Sequence, residues 1–457
     1  KVTALSDAAL QALTAKELGD NFKPDTKNQN GGYPILKWQD PAAAEAEDPD
    51  RPESDPNGWD GKETSIPTQT DGVYQIGTAA ELKWFADAVK TDSAIKGVLM
   101  QNIDLNHRDW TPVDANFAGK LDGAGHSITN LYCKNETGAA ALFAANGGTI
   151  QNLTVSGKII GSKVKSGSGG VAYVKNGTLS VYDIKLTGGS ASTGGAVTVD
   201  AKGVLNIYSG EISGNTVTSG KGGAIYIKSG GVVNIYGGTI KDNHVYSGDG
   251  GAIYVEAGGT LNLYGGTITG NTASGLGGGI YVEAGGRVNI QGAPVVTGNT
   301  AGGKANNVYV CVDSTSPLLT ISGELTDGAK LGVSTDASYP VLLAGSTQDY
   351  SAYFTPDDPD AFVLFSGSAL TLCAKPSATL AGDTLTVSTG SNYKSDAFVL
   401  FVAEYGADGR LLAVHSEKIT AESGTYTFKV QPGATIKCFL LHADTYAPLF
   451  AAFSPKA

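Results

Sequence analysis

Charge is scarce in this chain of 457 residues: Asp, Glu, Lys and Arg together make 17% of it. Arginine occurs four times, at Arg51, Arg108, Arg287 and Arg410. Aromatic residues make 8%, and there are five His, four Cys and one Met. A formal net charge of -12 with so few clustered cations argues against a nucleic-acid partner, because phosphate contacts need grouped Lys and Arg. No run of about eighteen apolar residues exists, so no helical membrane span is expected. Cys133, Cys311, Cys373 and Cys438 are not paired at metal-ligand spacing and are too few for a disulfide framework. They read as lone, mostly buried thiols, although Cys373 and Cys438 could meet if the C-terminal region is one small sandwich. Neither a metal nor a cofactor is expected.

What is plentiful is glycine, at 63 residues, together with β-branched side chains. That combination predicts an all-β protein with many turns. The chain starts at Lys1 with no Met and no signal-peptide pattern, and so reads as a piece of something longer.

Three regions are expected. Residues 1–65 form a lead-in: "TAKE" from Thr14 fits the start of a short helix, "NGGYPILKW" a turn and strand, and the stretch after it an acidic, Pro-rich linker. Residues 66–375 form a solenoid, opened by a capping helix over 78–91. In that helix Thr78 and Glu81 make a capping box, and Leu82, Phe85, Ala86 and Val89 share one face. Residues 376–457 alternate with the two-residue period of antiparallel strands and suit an immunoglobulin-like β-sandwich.

The solenoid follows from a repeat. Ala196, Ala224 and Ala252 lie 28 residues apart, followed by Gly279 after 27 and Asn307 after 28. Asn215, Asn243, Asn271 and Asn299 form a second column, and Asn206, Asn234, Asn262 and Asn289 a third. Three short apolar segments in about 28 residues fit one coil of a right-handed parallel β-helix, whereas a propeller blade needs four strands and about 40 residues. Equivalent residues then stack about 4.8 Å apart. Ile225, Ile227, Ile253 and Val255 point inward, the Asn columns bond from coil to coil, and glycines turn the corners.

The segments "YQIGTAAELKWFADAV", "NIDLNHRDWTPV", "FAGKLDGAGHSITNLY" and "GTIQNLTVSG", with the "GGAIY" repeats, resemble β-helix regions of large secreted surface proteins of Gram-positive gut bacteria. The "GGAI" phrase is also similar to the passenger repeats of polymorphic outer-membrane autotransporters. "LGDNFKPDTKNQNGGYPILKWQ" is similar to a segment that follows another such domain, and "VAEYGADGRLLAV" with "IKCFLLHADTYAPL" resembles sandwich modules at the ends of such proteins. The resemblance implies an exported, adhesin-like, secreted or cell-surface protein. It brings no catalytic residues.

The register groups the residues that could carry chemistry. Asp200, Lys228, Glu256, Glu283 and Cys311 share one column. Glu256 and Glu283 would lie about 5 Å apart, the separation a retaining glycosidase uses, so a glycoside hydrolase or polysaccharide lyase is one alternative. The structural reading of the same column is a strand end where Lys228 pairs with Glu256 on the surface. Two tyrosine columns face outward: Tyr226, Tyr254, Tyr281 and Tyr309, and Tyr208, Tyr236 and Tyr264. They offer apolar faces with hydroxyl tips that could stack on sugars, making dietary or host glycans, including host surface glycoproteins, the expected partners. Stacked rings that only stabilise the sheet are the competing reading. The leading expectation is a non-catalytic, adhesin-like monomer, with a structural stalk presenting other domains as a further alternative.

Overall fold

The computed structural model describes residues 22–23, 35–36 and 53–455, apart from 112, 115–116, 136–141, 146–147, 162–171, 312–318, 337–340, 366, 390–396 and 420–423. The chain divides into two compact units, 1–53 and 54–457. In the first, Phe22–Lys23 and Ile35–Leu36 pair antiparallel. The helix expected from Thr14 and the acidic linker up to residue 52 lie outside the described residues.

In the second unit the chain from Asp55 is already bonded to the coils. Asn106 Oδ1 accepts the Asp55 N–H at 2.6 Å, and its Nδ2 donates to the carbonyls of Asp55 and Trp59 at 2.7 and 3.1 Å. The stretch 54–65, expected as lead-in, is therefore fastened to the solenoid. The helix spans Ala79–Ala88 and carries the expected capping box at Thr78 and Glu81. Leu82, Phe85, Ala86 and Val89 are buried as predicted, in one continuous core with Ile76, Leu99 and Phe117. Phe85 meets the ring of Phe117 edge-on at 6.3 Å.

The rest of the unit is nearly all β, with a parallel solenoid of about seven turns near 28 residues each. One coil shows how it is made. Strands Ile225–Ile227, Val232–Ile235 and Thr239–Lys241 pair in parallel with Ile253–Val255, Thr260–Leu263 and Thr267–Thr269 of the next coil. Alternation sends Ile225, Ile227, Val233 and Ile235 inward, each 1% exposed or less, onto Ile253, Val255, Leu261 and Leu263. A fourth short strand, His244–Val245, belongs to a separate sheet that also contains Thr216–Lys221, Gly248–Asp249 and Thr272–Ala273. That sheet forms an arm beside the coils.

The doubled glycine of "GGAIY" has two separate causes. The first glycine, Gly222 or Gly250, has φ near +70°, a region open to glycine and costly to others. The second has no room for a side chain: a Cβ on Gly223 would lie 2.1 Å from the carbonyl oxygen of Gly251, and one on Gly251 equally close to that of Gly278.

Beyond the last coil, Val341–Gly345, Ala369–Ala374 and Ala361–Phe365 form an antiparallel sheet. Two three-stranded antiparallel sheets follow. One holds Ser377–Ala381, Thr384–Thr389 and Gly424–Lys429; the other holds Leu411–Lys418, Phe398–Tyr405 and Thr435–His442. Leu385, Val387, Leu400, Val402 and Cys438 are buried together between them, which makes the expected sandwich. Cys373 belongs to a different cluster, where Phe362 and Leu364 of the preceding sheet meet Phe398 and Leu440. Cys373 and Cys438 are therefore separate free thiols, and burial pushes each up to about 12.

Candidate functional site

The outer surface of the regular coils gathers every residue singled out for chemistry. Glu256 and Glu283 follow the paired Val255 and Val282, so they are neighbours in one column, as expected. Neither carboxylate stands open. Glu256 accepts the hydroxyl of Tyr226, one coil earlier, and the backbone N–H of Ser229 at 3.0 Å. Glu283 accepts the hydroxyl of Tyr254, the N–H of Ala257 at 3.0 Å and the ammonium of Lys221 at 2.8 Å. The same rung recurs where Tyr173 donates to Asp200. In the last one, the Cys311 thiol lies 3.0 Å from the Tyr281 hydroxyl.

Lys228 departs from expectation. Its ammonium lies 3.6 Å from Asp200, one coil back, instead of pairing with Glu256. These contacts set the ionisation. Burial pulls the Glu283 carboxyl upward, but Lys221, Tyr254 and the Ala257 N–H outweigh it and hold the group below its usual range. Asp200 is low for matching reasons: burial is overcome by Tyr173, the Ala201 N–H and Lys228. Burial, then the facing carboxylate, raises the phenols of Tyr226 and Tyr254. A glycosidase acid needs the opposite tuning, a carboxyl held protonated near neutral pH.

The first tyrosine column is not the open stripe that alternation implied. Tyr226, Tyr254 and Tyr309 are only 7%, 2% and 7% exposed, and Tyr281 is half-buried. At Tyr254 the arm supplies cover: Lys221 Nζ sits 4.3 Å above the centre of the ring. Period-two alternation tells which side of a strand a residue faces, not whether a second layer lies over that side.

The second column is open but differently made. Tyr208, Tyr236 and Tyr264 are joined by Tyr182, and successive ring centres lie 4.4, 4.7 and 4.7 Å apart with planes within 7° of parallel. Each inner ring thus spends both faces on its neighbours. Ring edges and hydroxyls face outward, with Tyr236 42% exposed. Gln151 and Gln291 occupy the adjoining register positions at the two ends. Beside the rings, Asn234, Asn262 and Asn289 each donate to the Asn one coil back, at 2.7, 2.6 and 2.7 Å. Tyr182 escaped the sequence reading because it precedes Tyr208 by 26 residues, not 28. Lys221 escaped because its partner Glu283 is 62 residues away.

Among the described residues no group of His, Cys, Asp and Glu is arranged to hold a metal ion. No described helix is long and apolar enough to cross a membrane.

No family model matches the chain, and no curated protein matches it. Among solved structures, one is similar over a short stretch: an endonuclease/exonuclease/phosphatase from Beutenbergia cavernae DSM 12333. It is 14% identical over 21% of this chain and 35% of that one, with a TM-score of 0.13. A likeness that slight bears on neither fold nor activity. The class of protein rests on the coils themselves: a parallel β-solenoid with further β-sheets at its C-terminal end.

Proposed function

We propose that this chain is a non-catalytic, adhesin-like scaffold of an exported surface protein. Its solenoid serves as a rigid element, and carbohydrate contact falls on the open tyrosine face. One observation carries the non-catalytic part: the polar columns are satisfied by their own copies or partners in adjoining coils. Glu256 and Glu283 are held by tyrosine hydroxyls and backbone N–H groups, and the outer Asn column bonds to itself. The same observation favours the stalk as the second reading, since stacking faces of Tyr208 and Tyr236 are taken. A sugar would meet hydroxyl edges there, not ring faces.

A glycan array carrying mucin and plant glycans tests the binding part. Binding by the wild type that disappears with Tyr236→Ala and survives Tyr226→Ala supports it; no binding by the wild type leaves the stalk alone. The non-catalytic part is overturned if incubation with mucin or pectin releases products that Glu256→Gln and Glu283→Gln both abolish.

A further inference from the structure

The buried asparagine ladder at the coil corner has a direction. The Nδ2 groups of Asn215, Asn243, Asn271 and Asn299 donate to the Oδ1 of the next Asn at 2.9, 2.9, 2.9 and 3.0 Å. Their backbone N–H groups donate to the same oxygens at 3.0, 3.0, 3.0 and 2.9 Å. Each Asn accepts from the coil before and donates to the coil after, so an amide side chain propagates the series. Every Asn-to-Asn donation runs toward the C-terminal end.

The series must end somewhere, and it ends outside the repeat. Asn307, the last amide, is followed in register by Gly332, whose neighbour Val333 pairs with Val308. A Cβ on Gly332 would lie 2.2 Å from Asn307 Nδ2, so a side chain there would displace the Asn307 amide. The position is filled instead by Asp357, which follows the strand Phe354–Pro356 laid against Leu331–Val333. Its carboxylate accepts Asn307 N and Asn307 Nδ2, each at 2.6 Å, and the Ser334 hydroxyl at 2.6 Å.

We propose that Asp357 is the terminator of the corner ladder and thereby closes the solenoid: the group there must accept without donating. A carboxylate is the side chain that does so, and its charge suits the N–H ends of a row of aligned amides. An asparagine, the residue at every other rung, would turn an NH2 toward groups that are themselves donors.

The test moves the carboxylate by one rung. In Asp357→Asn, hydrogen exchange of the Asn307 backbone N–H should accelerate about tenfold or more, the effect of leaving a buried donor unpaired, while Asn215 changes little. In the charge-neutral double variant Asn307→Asp with Asp357→Asn, the carboxylate stands one rung earlier: it accepts from Asn299 and from the new amide at position 357, whose oxygen is left to accept the backbone N–H of position 307. Exchange of the position-307 N–H should then return to within about threefold of the wild type. A residue that merely fills space would show neither the loss nor the recovery. Unchanged exchange in Asp357→Asn, or no recovery in the double variant, overturns the proposal. Should Asp357→Asn not fold, a folded double variant supports it and an unfolded one overturns it.

Discussion

The two asparagine columns of the coils use one residue at one spacing for different ends. At the corner, Asn243 is fully buried; besides the ladder, its Nδ2 reaches the carbonyls of Ile212 and Lys241 at 3.1 and 2.9 Å. On the outer face, Asn234 is half-buried, and its side chain bonds those of Asn206 and Asn262. The corner column therefore ties side chain to backbone across three coils, while the outer column ties side chains to one another beside water. The difference teaches that a repeated residue measures the coil period, and that burial decides how much the repeat holds.

The largest break expected at the corner comes from Gly251→Ala. The new Cβ would stand 2.1 Å from the Gly278 carbonyl oxygen, and backbone, not a flexible side chain, would have to move. A loss of more than about 3 kcal/mol, or failure to fold, is expected, as for other overpacked sites without room to relax. Denaturant unfolding followed by circular dichroism measures it; a midpoint equal to the wild type would break the corner side of the comparison.

The outer face should answer more softly. Tyr236→Ala removes two stacked contacts, each worth about 0.5–1.5 kcal/mol beyond area. A loss of about 1–3 kcal/mol is expected in the same unfolding assay, and no loss would mean that the ring ladder is idle.

The smallest effect is in acid. Glu283 and Asp200 have folded values below their unfolded ones, so their contribution is present above the unfolded carboxyl range, about pH 4, and is lost as pH falls through the folded values. Stability should hold from neutral pH to about pH 5 and decline below it. Because the Lys221–Glu283 pair is part-exposed, Glu283→Gln should change the neutral-pH stability by under about 1 kcal/mol while flattening the acid decline. An acid profile identical to the wild type would remove this rung from the account.

The coil was legible because its period is written in Ala196, Ala224 and Ala252 and in the Asn columns, and because inward Ile and Val alternate with outward polar residues. The capping helix was legible from Thr78 and Glu81. What the period does not carry is the arm: Lys221 reaches over Tyr254 from outside the coil, and nothing in strand alternation anticipates a second layer. Nor does the period reach Asp357, which meets Asn307 from 50 residues away. The column of Glu256 and Glu283 was placed correctly by register, yet the hydroxyls that occupy it depend on a long tyrosine side chain reaching one coil forward.

The central claim, that the corner ladder and not the outer one holds the coils together, is tested most directly by comparing urea midpoints of Asn243→Ala and Asn234→Ala. Asn243→Ala orphans Asn215 N and Nδ2 and removes the donor that reaches the carbonyls of Ile212 and Lys241, and should cost about 3 kcal/mol or more. Asn234→Ala lets water replace what is lost and should cost under about 1 kcal/mol. Equal midpoints for the two variants, or a larger loss from Asn234→Ala, would contradict the account.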